Sequence, residues 1–433
     1  MSGNDSLSAG EGFRYGLMGL PLAFVALPLY VLLPNHYARD FGVPLATLGW
    51  LLLGARLFDA FIDPWLGRLS DRLFARSAQA VLGMGAVAAV LLTLGFVALF
   101  FPLTRSPQQL LPWAAVMLVL TYAAFSLLSV SHQAWGALLG GNEARRSRVV
   151  AWREGLGLVG VVLASVLPSL AGLPVMAAAF GILLAIGWLA WCRAPRPRVV
   201  SATAKSRSGP GPFRNAAFRR LLAVFVLNGI ASAVPATLVL FFVQDRLQAP
   251  ARLEPAFLGL YFVCAAAAIP LWLRAVPRLG LARTWLCGMA LAIVVFVWAS
   301  QLGAGDSVAF LVVCALSGAA LGTDLVLPGA LLAGVIAKTG TADAAQSSGT
   351  AGAYFGWWNF ATKLNLALAA GLALPLLGMF GYSPGTREPA ALQALSLAYG
   401  VLPCVLKALA AAALYLLVIR PRHAVFVPLK VMP

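Results

Sequence analysis

Apolar runs of about 20 residues recur from one end of the chain to the other, separated by short polar connections. A helix rising 1.5 Å per residue needs about that many residues to cross the hydrocarbon core of a bilayer. Within lipid every backbone N–H and C=O must be paired inside the protein. Runs this long and this continuously apolar therefore predict helices, not the alternating strands of a barrel. The pattern predicts twelve spans, near 15–37, 44–67, 78–101, 112–139, 149–170, 173–192, 219–243, 255–274, 282–301, 308–336, 352–378 and 392–419. The longest basic connection, Arg193 to Arg220, divides them six and six, and its stretch from Ser206 to Gly211 has the composition of a flexible linker. The expected architecture is an all-α membrane protein with twelve transmembrane helices in two six-helix bundles. The bundles are residues 1–192 and 219–433, joined by a cytoplasmic linker loop at 193–218.

Composition agrees, with 61% hydrophobic and only 10% charged residues, a balance that excludes a soluble domain. The net charge of +17 would point to nucleic acid in a soluble protein, but here it is a topological signal. With both termini inside, 23 of the 31 Lys and Arg residues fall on the cytoplasmic side and five outside (Arg39, Arg105, Arg246, Arg252 and Arg387). That bias predicts a multi-pass protein of the plasma (inner) membrane with cytoplasmic N and C termini. The first dozen residues are polar and the first apolar run is long, so no cleavable signal peptide is expected. The five cysteines have neither metal nor disulfide spacing and read as small hydrophobes, so no structural metal and no cofactor are expected. A monomer is expected, with the lipid bilayer and small solutes as its partners and no nucleic acid.

The exceptions to apolarity carry the candidate chemistry. The three remaining cations, Arg56, Lys363 and Lys407, lie within spans, and Arg56 shares span 2 with Asp59 and Asp63. Separations of three, four and seven residues put Arg56, Asp59 and Asp63 on one helix face, which must point into protein or a wet cavity. Two acids one turn apart beside a cation are a candidate site for a transported Na⁺ or H⁺; the alternative is a charge cluster that locks helices together. Lys363 on span 11 is the candidate counter-charge. Asp324 on span 10 has no cation near it in sequence, so it is either protonated, paired with Lys363, or bonded to hydroxyls. Lys407 reads as a structural charge that snorkels or pairs within the second half. His132 titrates near neutral pH or serves as a hydrogen-bonded core residue, and Trp358 is either a substrate platform or aromatic packing.

A faint internal repeat links the halves. Pro64 precedes Arg68-Leu69-Ser70-Asp71-Arg72-Leu73 after span 2, and Pro270 precedes Arg274-Ala275-Val276-Pro277-Arg278-Leu279 after span 8. The counterparts of Asp59 and Asp63 in this repeat are Ala265 and Ile269, so the charge site belongs to the first half alone. No Gly-Lys-Ser/Thr phosphate loop is present, which excludes ATP as the energy source. A membrane-embedded enzyme would need clustered histidines or acids near an interface. The three histidines, His36, His132 and His423, are far apart, and no enzyme is expected. A scaffold without transport has no use for intramembrane acids.

The twelve spans and Gly67-Arg68-Leu69-Ser70-Asp71-Arg72 resemble the major facilitator superfamily. More narrowly, Arg56-Leu57-Phe58-Asp59-Ala60-Phe61-Ile62-Asp63-Pro64 resembles the glycoside–pentoside–hexuronide:cation symporters, the relatives of melibiose permease. Further matches are Asn142-Glu143-Ala144-Arg145-Arg146-Ser147-Arg148, Trp152-Arg153-Glu154, and Tyr354-Phe355-Gly356-Trp357-Trp358-Asn359-Phe360-Ala361-Thr362-Lys363. The resemblance implies that Asp59 and Asp63 take the positions of cation-binding acids. It likewise implies that Lys363 takes that of a span-11 lysine and Arg153 that of an arginine opening span 5, and it brings Asn359 and Trp358 into the candidate set. It implies cation-coupled sugar symport by alternating access. The departures point elsewhere. Span 1 has no acid between Arg14 and Asp40, span 4 offers Ser126, Ser129, Ser131 and His132, and Gly334 and Ala337 stand where the family has acids. A sugar would leave many hydroxyls without partners, so a lysophospholipid or other amphipathic solute is the alternative.

Overall fold

In the computed structural model, residues 7–104, 106–197, 211–339 and 350–420 are described, and all regular structure among them is helical. The principal helices are α1 (Ala9–Asp40), α2 (Leu45–Arg76), α3 (Ala78–Phe100), α4 (Gln108–Leu138), α5 (Glu143–Pro168) and α6 (Leu170–Cys192), followed by α7 (Ala216–Arg246), α8 (Glu254–Leu279), α9 (Leu281–Ala299), α10 (Ser307–Lys338), α11 (Ala351–Met379) and α12 (Pro389–Ile419). Each expected span meets one helix. Among the described residues, ten of these helices are long and apolar enough to cross a membrane, and α2 and α11 hold Asp59, Asp63 and Lys363. The run from α5 to α6 breaks at Gly172, whose φ of 81° and ψ of 172° leave the helical region. Part of the expected linker, with Arg198, Lys205 and Arg207, lies outside the described residues, as do Arg105, Arg422, His423 and Lys430.

The chain forms two compact units, Met1–Pro212 with Ala333–Phe360, and Phe213–Leu332 with Ala361–Pro433. In the first, α1 packs along α5, and α4 packs on α2 and α3. In its core the Phe180 ring stacks on Phe24 and lies tilted against Phe96. In the second, α12 packs on α7 and α9, and Tyr399 stacks on Phe242 with ring centroids 4.2 Å apart. Outward faces stay apolar. On α3, Val87, Val90 and Leu94 repeat at helical spacing and are all exposed, the stripe a lipid-facing helix needs.

The alternation of helix and polar turn is interrupted by short π turns, at Pro28–Leu32 in α1, Phe242–Arg246 in α7 and Leu397–Val401 in α12. Such turns open the regular hydrogen-bond ladder by one residue and re-aim the side chains beside them. At the far end of α7, the buried Asp245 carboxylate accepts from Tyr382 Oη at 2.5 Å and from the Gly385 N–H at 3.0 Å, fastening the turn before α12. Burial and this carboxylate together hold the Tyr382 hydroxyl well above its ordinary pKa.

The start of α11 is held against α2 within the first unit. The first turn of a helix leaves N–H groups without intrahelical partners and carries a partial positive charge. Asp71 meets both needs, because its Oδ1 accepts from Gly352 N at 2.6 Å and its Oδ2 from Ala353 N at 2.8 Å. Glycines make the approach close enough, since a Cβ added at Gly67 would stand 2.3 Å from the Gly352 carbonyl oxygen, and the reverse holds for Gly352. Asp71→Ala is therefore expected to lower the stability of the purified protein by about 1–2 kcal/mol, the loss typical of a helix cap. Asp306→Ala removes a carboxylate that holds only the exposed turn at Gly303 and should change stability by about 0.5 kcal/mol or less. Thermal denaturation of both variants checks this, and equal shifts would contradict it.

Candidate functional site

On α2 the two acids and the guanidinium are placed differently, with the acids buried and Arg56 exposed. Asp59 and Asp63 lie one turn apart and are 2% and 0% exposed. Ser126 of α4 donates its hydroxyl to Asp59 Oδ1 at 2.8 Å in a buried contact. Arg56, one turn before Asp59, is exposed and stacks its guanidinium over the Tyr30 ring, 4.6 Å from the centroid. Tyr30 belongs to the π turn of α1, and its ring tilts against that of Tyr122 of α4 at 6.4 Å. Three helices thus supply one charged cluster of two carboxylates, a guanidinium, two phenols and a hydroxyl. Asp63 is also fixed through its backbone, since a Cβ at Gly356 of α11 would stand 2.5 Å from the Asp63 carbonyl oxygen. The arrangement offers carboxylate and hydroxyl oxygens, the donor set of a small hard cation or a proton.

Arg153 and His132 come together in a different cluster of the same unit. Arg153 is ion-paired with its neighbour Glu154. His132 is fully buried, with Nε2 at 2.9 Å from the Tyr15 carbonyl oxygen, while Tyr15 Oη donates to the His132 carbonyl at 3.0 Å. The two rings stack at 4.3 Å, and Trp191 meets the imidazole edge-on. This reciprocal clamp gives His132 the geometry of a core residue joining α1 and α4. Gly334, where the resemblance leads one to look for an acid, is a gap filled by a cation: a Cβ there would stand 2.3 Å from Arg146 Nη1.

Asp324 finds its cation in Lys407, the lysine that the sequence reading set apart as structural. Lys407 Nζ donates to Asp324 Oδ2 at 2.8 Å and to Ser232 Oγ at 3.0 Å. Ser232 in turn donates to Asp324 Oδ2 at 3.1 Å, and Trp285 Nε1 donates to Oδ1 at 2.8 Å. α7, α9, α10 and α12 therefore meet at one carboxylate, which is one wall of a cavity of about 360 Å³ inside the second unit. Lys363 is half-buried and belongs to that unit. Trp358 is buried and Asn359 half-buried near the start of α11, within the first unit.

The residues that sequence reasoning left out are Tyr30, Tyr122, Ser126, Asp71, Ser232 and Trp285. Ser126 carried a signal, as a hydroxyl in the middle of span 4. Asp71 also carried one, inside the motif after span 2, but its partner lies 281 residues away. Nothing in the sequence marks Ser232 or Trp285 as neighbours of Asp324.

The MFS/sugar transport protein family matches residues 12–420 of the chain. Among solved structures, a bacterial homologue of the iron transporter ferroportin in an outward-facing state is similar at 17% identity and a TM-score of 0.67. That match covers 94% of this chain and 100% of the other. The fucose:proton symporter of E. coli is similar at 16% identity and a TM-score of 0.60, covering 93% and 97%. The human organic anion transporter MFSD10 is similar at 18% identity and a TM-score of 0.61, covering 94% and 100%. At these identities the likeness is one of fold. No curated protein sequence matches the chain. A family match over nearly the whole length, on twelve helices with charge buried inside, places this chain in the major facilitator superfamily, in its MFS/sugar transport protein family, as an integral multi-pass transporter and not an enzyme.

Proposed function

We propose that this protein is a secondary active transporter in which Asp63 and Asp59 hold a monovalent cation, Na⁺ or H⁺, whose gradient drives a small organic solute across the membrane. The observation that carries the reading is the buried acid pair of α2, with the Ser126 hydroxyl on Asp59 at 2.8 Å. Carboxylates at that depth are costly, and a cation that arrives and leaves gives them a use. Alternating access would move residues 1–192 against residues 219–433 about the loop 193–218, with both termini in the cytoplasm and the protein in the inner membrane. The narrower likeness to the glycoside–pentoside–hexuronide:cation symporters supports the acids as the coupling site. A sugar is the solute that this likeness implies. The apolar walls of the cavity in the second unit favour an amphipathic solute instead, because few wall groups there serve hydroxyls.

Coupling is tested on the purified protein at constant ionic strength, with choline replaced by Na⁺ or with pH varied. A ligand bound only by the native state adds stability, about 2.7 kcal/mol at 100 times its dissociation constant. The protein should therefore melt higher in Na⁺. If Na⁺ is the ion, the gain should grow as pH rises, because protons compete for the same oxygens. Asp63→Asn should remove the gain while the variant still folds and inserts, and a full Na⁺ or pH response in that variant would show the carboxylate to be structural.

Topology and substrate class have separate checks. A single Cys placed at Ser206, with the five native cysteines replaced, should react with an impermeant reagent only after the inner face is opened. Labelling in intact cells would reverse the orientation. Proteoliposomes should show no strong cation-dependent uptake of simple galactosides or pentoses, and robust uptake of a neutral disaccharide would return the solute to the sugars.

A further inference from the structure

The cavity of the second unit has a built polar end and an apolar body. Its volume of about 360 Å³ lies in the range of small-molecule sites. Phe257, Leu258, Phe262, Ile293, Phe296 and Leu321 are among the apolar residues of its wall, and Ser232, Asp324 and Lys407 are grouped at one place in it. The hydrogen bonds at that place are unequal. Asp324 accepts from three donors, Trp285, Ser232 and Lys407. Lys407 has three N–H donors and uses two of them among the described residues, on Asp324 and on Ser232. If Lys407 turns toward a guest, Asp324 keeps the indole N–H and the hydroxyl. If instead a cationic guest took Asp324, Lys407 would be left with Ser232 alone beside an apolar wall, a costly position for an ammonium. The asymmetry favours a guest that brings an acceptor to the lysine.

We infer that this cavity binds an amphipathic organic monocarboxylate, its carboxylate on Lys407 and its apolar body against the aromatic and aliphatic wall. The π turn Leu397–Val401 places Tyr399 in the same lining, and the break in the helix ladder gives α12 room at the cavity. The lysine bond is charge-assisted, so an anionic end is read more strongly than a neutral one of the same size. The Thr237 and Ser317 hydroxyls in the lining already donate to carbonyls of their own helices, so they offer a guest acceptor capacity only. The inference rests on the transporter reading for its place in a transport cycle, but binding itself needs no gradient.

The test uses the full-length protein in lipid nanodiscs at fixed pH and fixed Na⁺, titrated by calorimetry with three probes that share one body. These are 4-phenylbutyrate, 4-phenylbutan-1-ol and 4-phenylbutylamine. The butyrate should bind about tenfold more tightly than the alcohol, the difference between a charged and a neutral hydrogen bond, and the amine should bind least. Leu321→Trp and, more gently, Ala236→Phe fill the cavity while leaving the ion pair, and should abolish or strongly weaken binding of butyrate and alcohol alike. The double variant Asp324→Asn with Lys407→Gln should bring the butyrate-to-alcohol ratio to about one while alcohol binding persists, which separates reading of the charge from mere cavity volume. Equal affinity for all three probes, or butyrate binding unchanged by both filling variants, would overturn the inference. These titrations do not depend on the Asp63 response, so a failed coupling site and a failed cavity site give different results.

Discussion

An ionised side chain inside a membrane-spanning helix must find its partners within the protein, because hydrocarbon supplies none. That constraint organises the chain at three carboxylates, and each is met differently. Asp59 has a hydroxyl from a neighbouring helix, Asp324 has a lysine with two neutral donors, and Asp71 has the open end of a helix. The first joins an acid of α2 to α4 through a hydroxyl. The second sets an ion pair beside an apolar space. The third is structural cement at a helix crossing. One rule of burial thus yields three chemistries, according to what stands opposite the acid.

The twelve helices were legible in the sequence because lipid makes hydropathy and span length the same information. The face shared by Arg56, Asp59 and Asp63 was equally legible, since it depends only on residues within two turns. What could not be read were contacts set by packing between helices. Lys407 and Asp324 are 83 residues apart, Ser232 and Asp324 are 92, and no periodicity within α7, α10 or α12 says which faces meet. The same holds for the partner of His132: the sequence offered titration or a hydrogen-bonded core role, and could not name Tyr15, on which the ring stacks. Propensity rules likewise do not anticipate π turns, yet Tyr30 and Tyr399, each in such a turn, lie respectively beside the α2 acids and in the lining of the second unit's cavity.

Departures from the resemblance have physical counterparts in the structure. α4 contributes the Ser126 hydroxyl to the charge cluster and brings no acid of its own. Where an acid would stand at Gly334, an arginine side chain occupies the space. The cavity of the second unit is lined mostly by apolar side chains, with one ion pair and the hydroxyls of Ser232, Thr237, Tyr261, Ser317 and Tyr399. The buried acids of α2 and the largely apolar cavity of the second unit are the two features on which the proposed coupling and the proposed passenger rest.

The clamp at Asp71 has a mechanical consequence. Both carboxylate oxygens are engaged, on successive amides, at 2.6 and 2.8 Å, and the flanking glycines leave no side chain to cushion a slide. A shift of α11 along its axis by about one residue, or 1.5 Å, carries both amides out of hydrogen-bonding range together. The bonds do not share the load and fail in sequence; they behave as a detent, stiff to small excursions and without resistance beyond them.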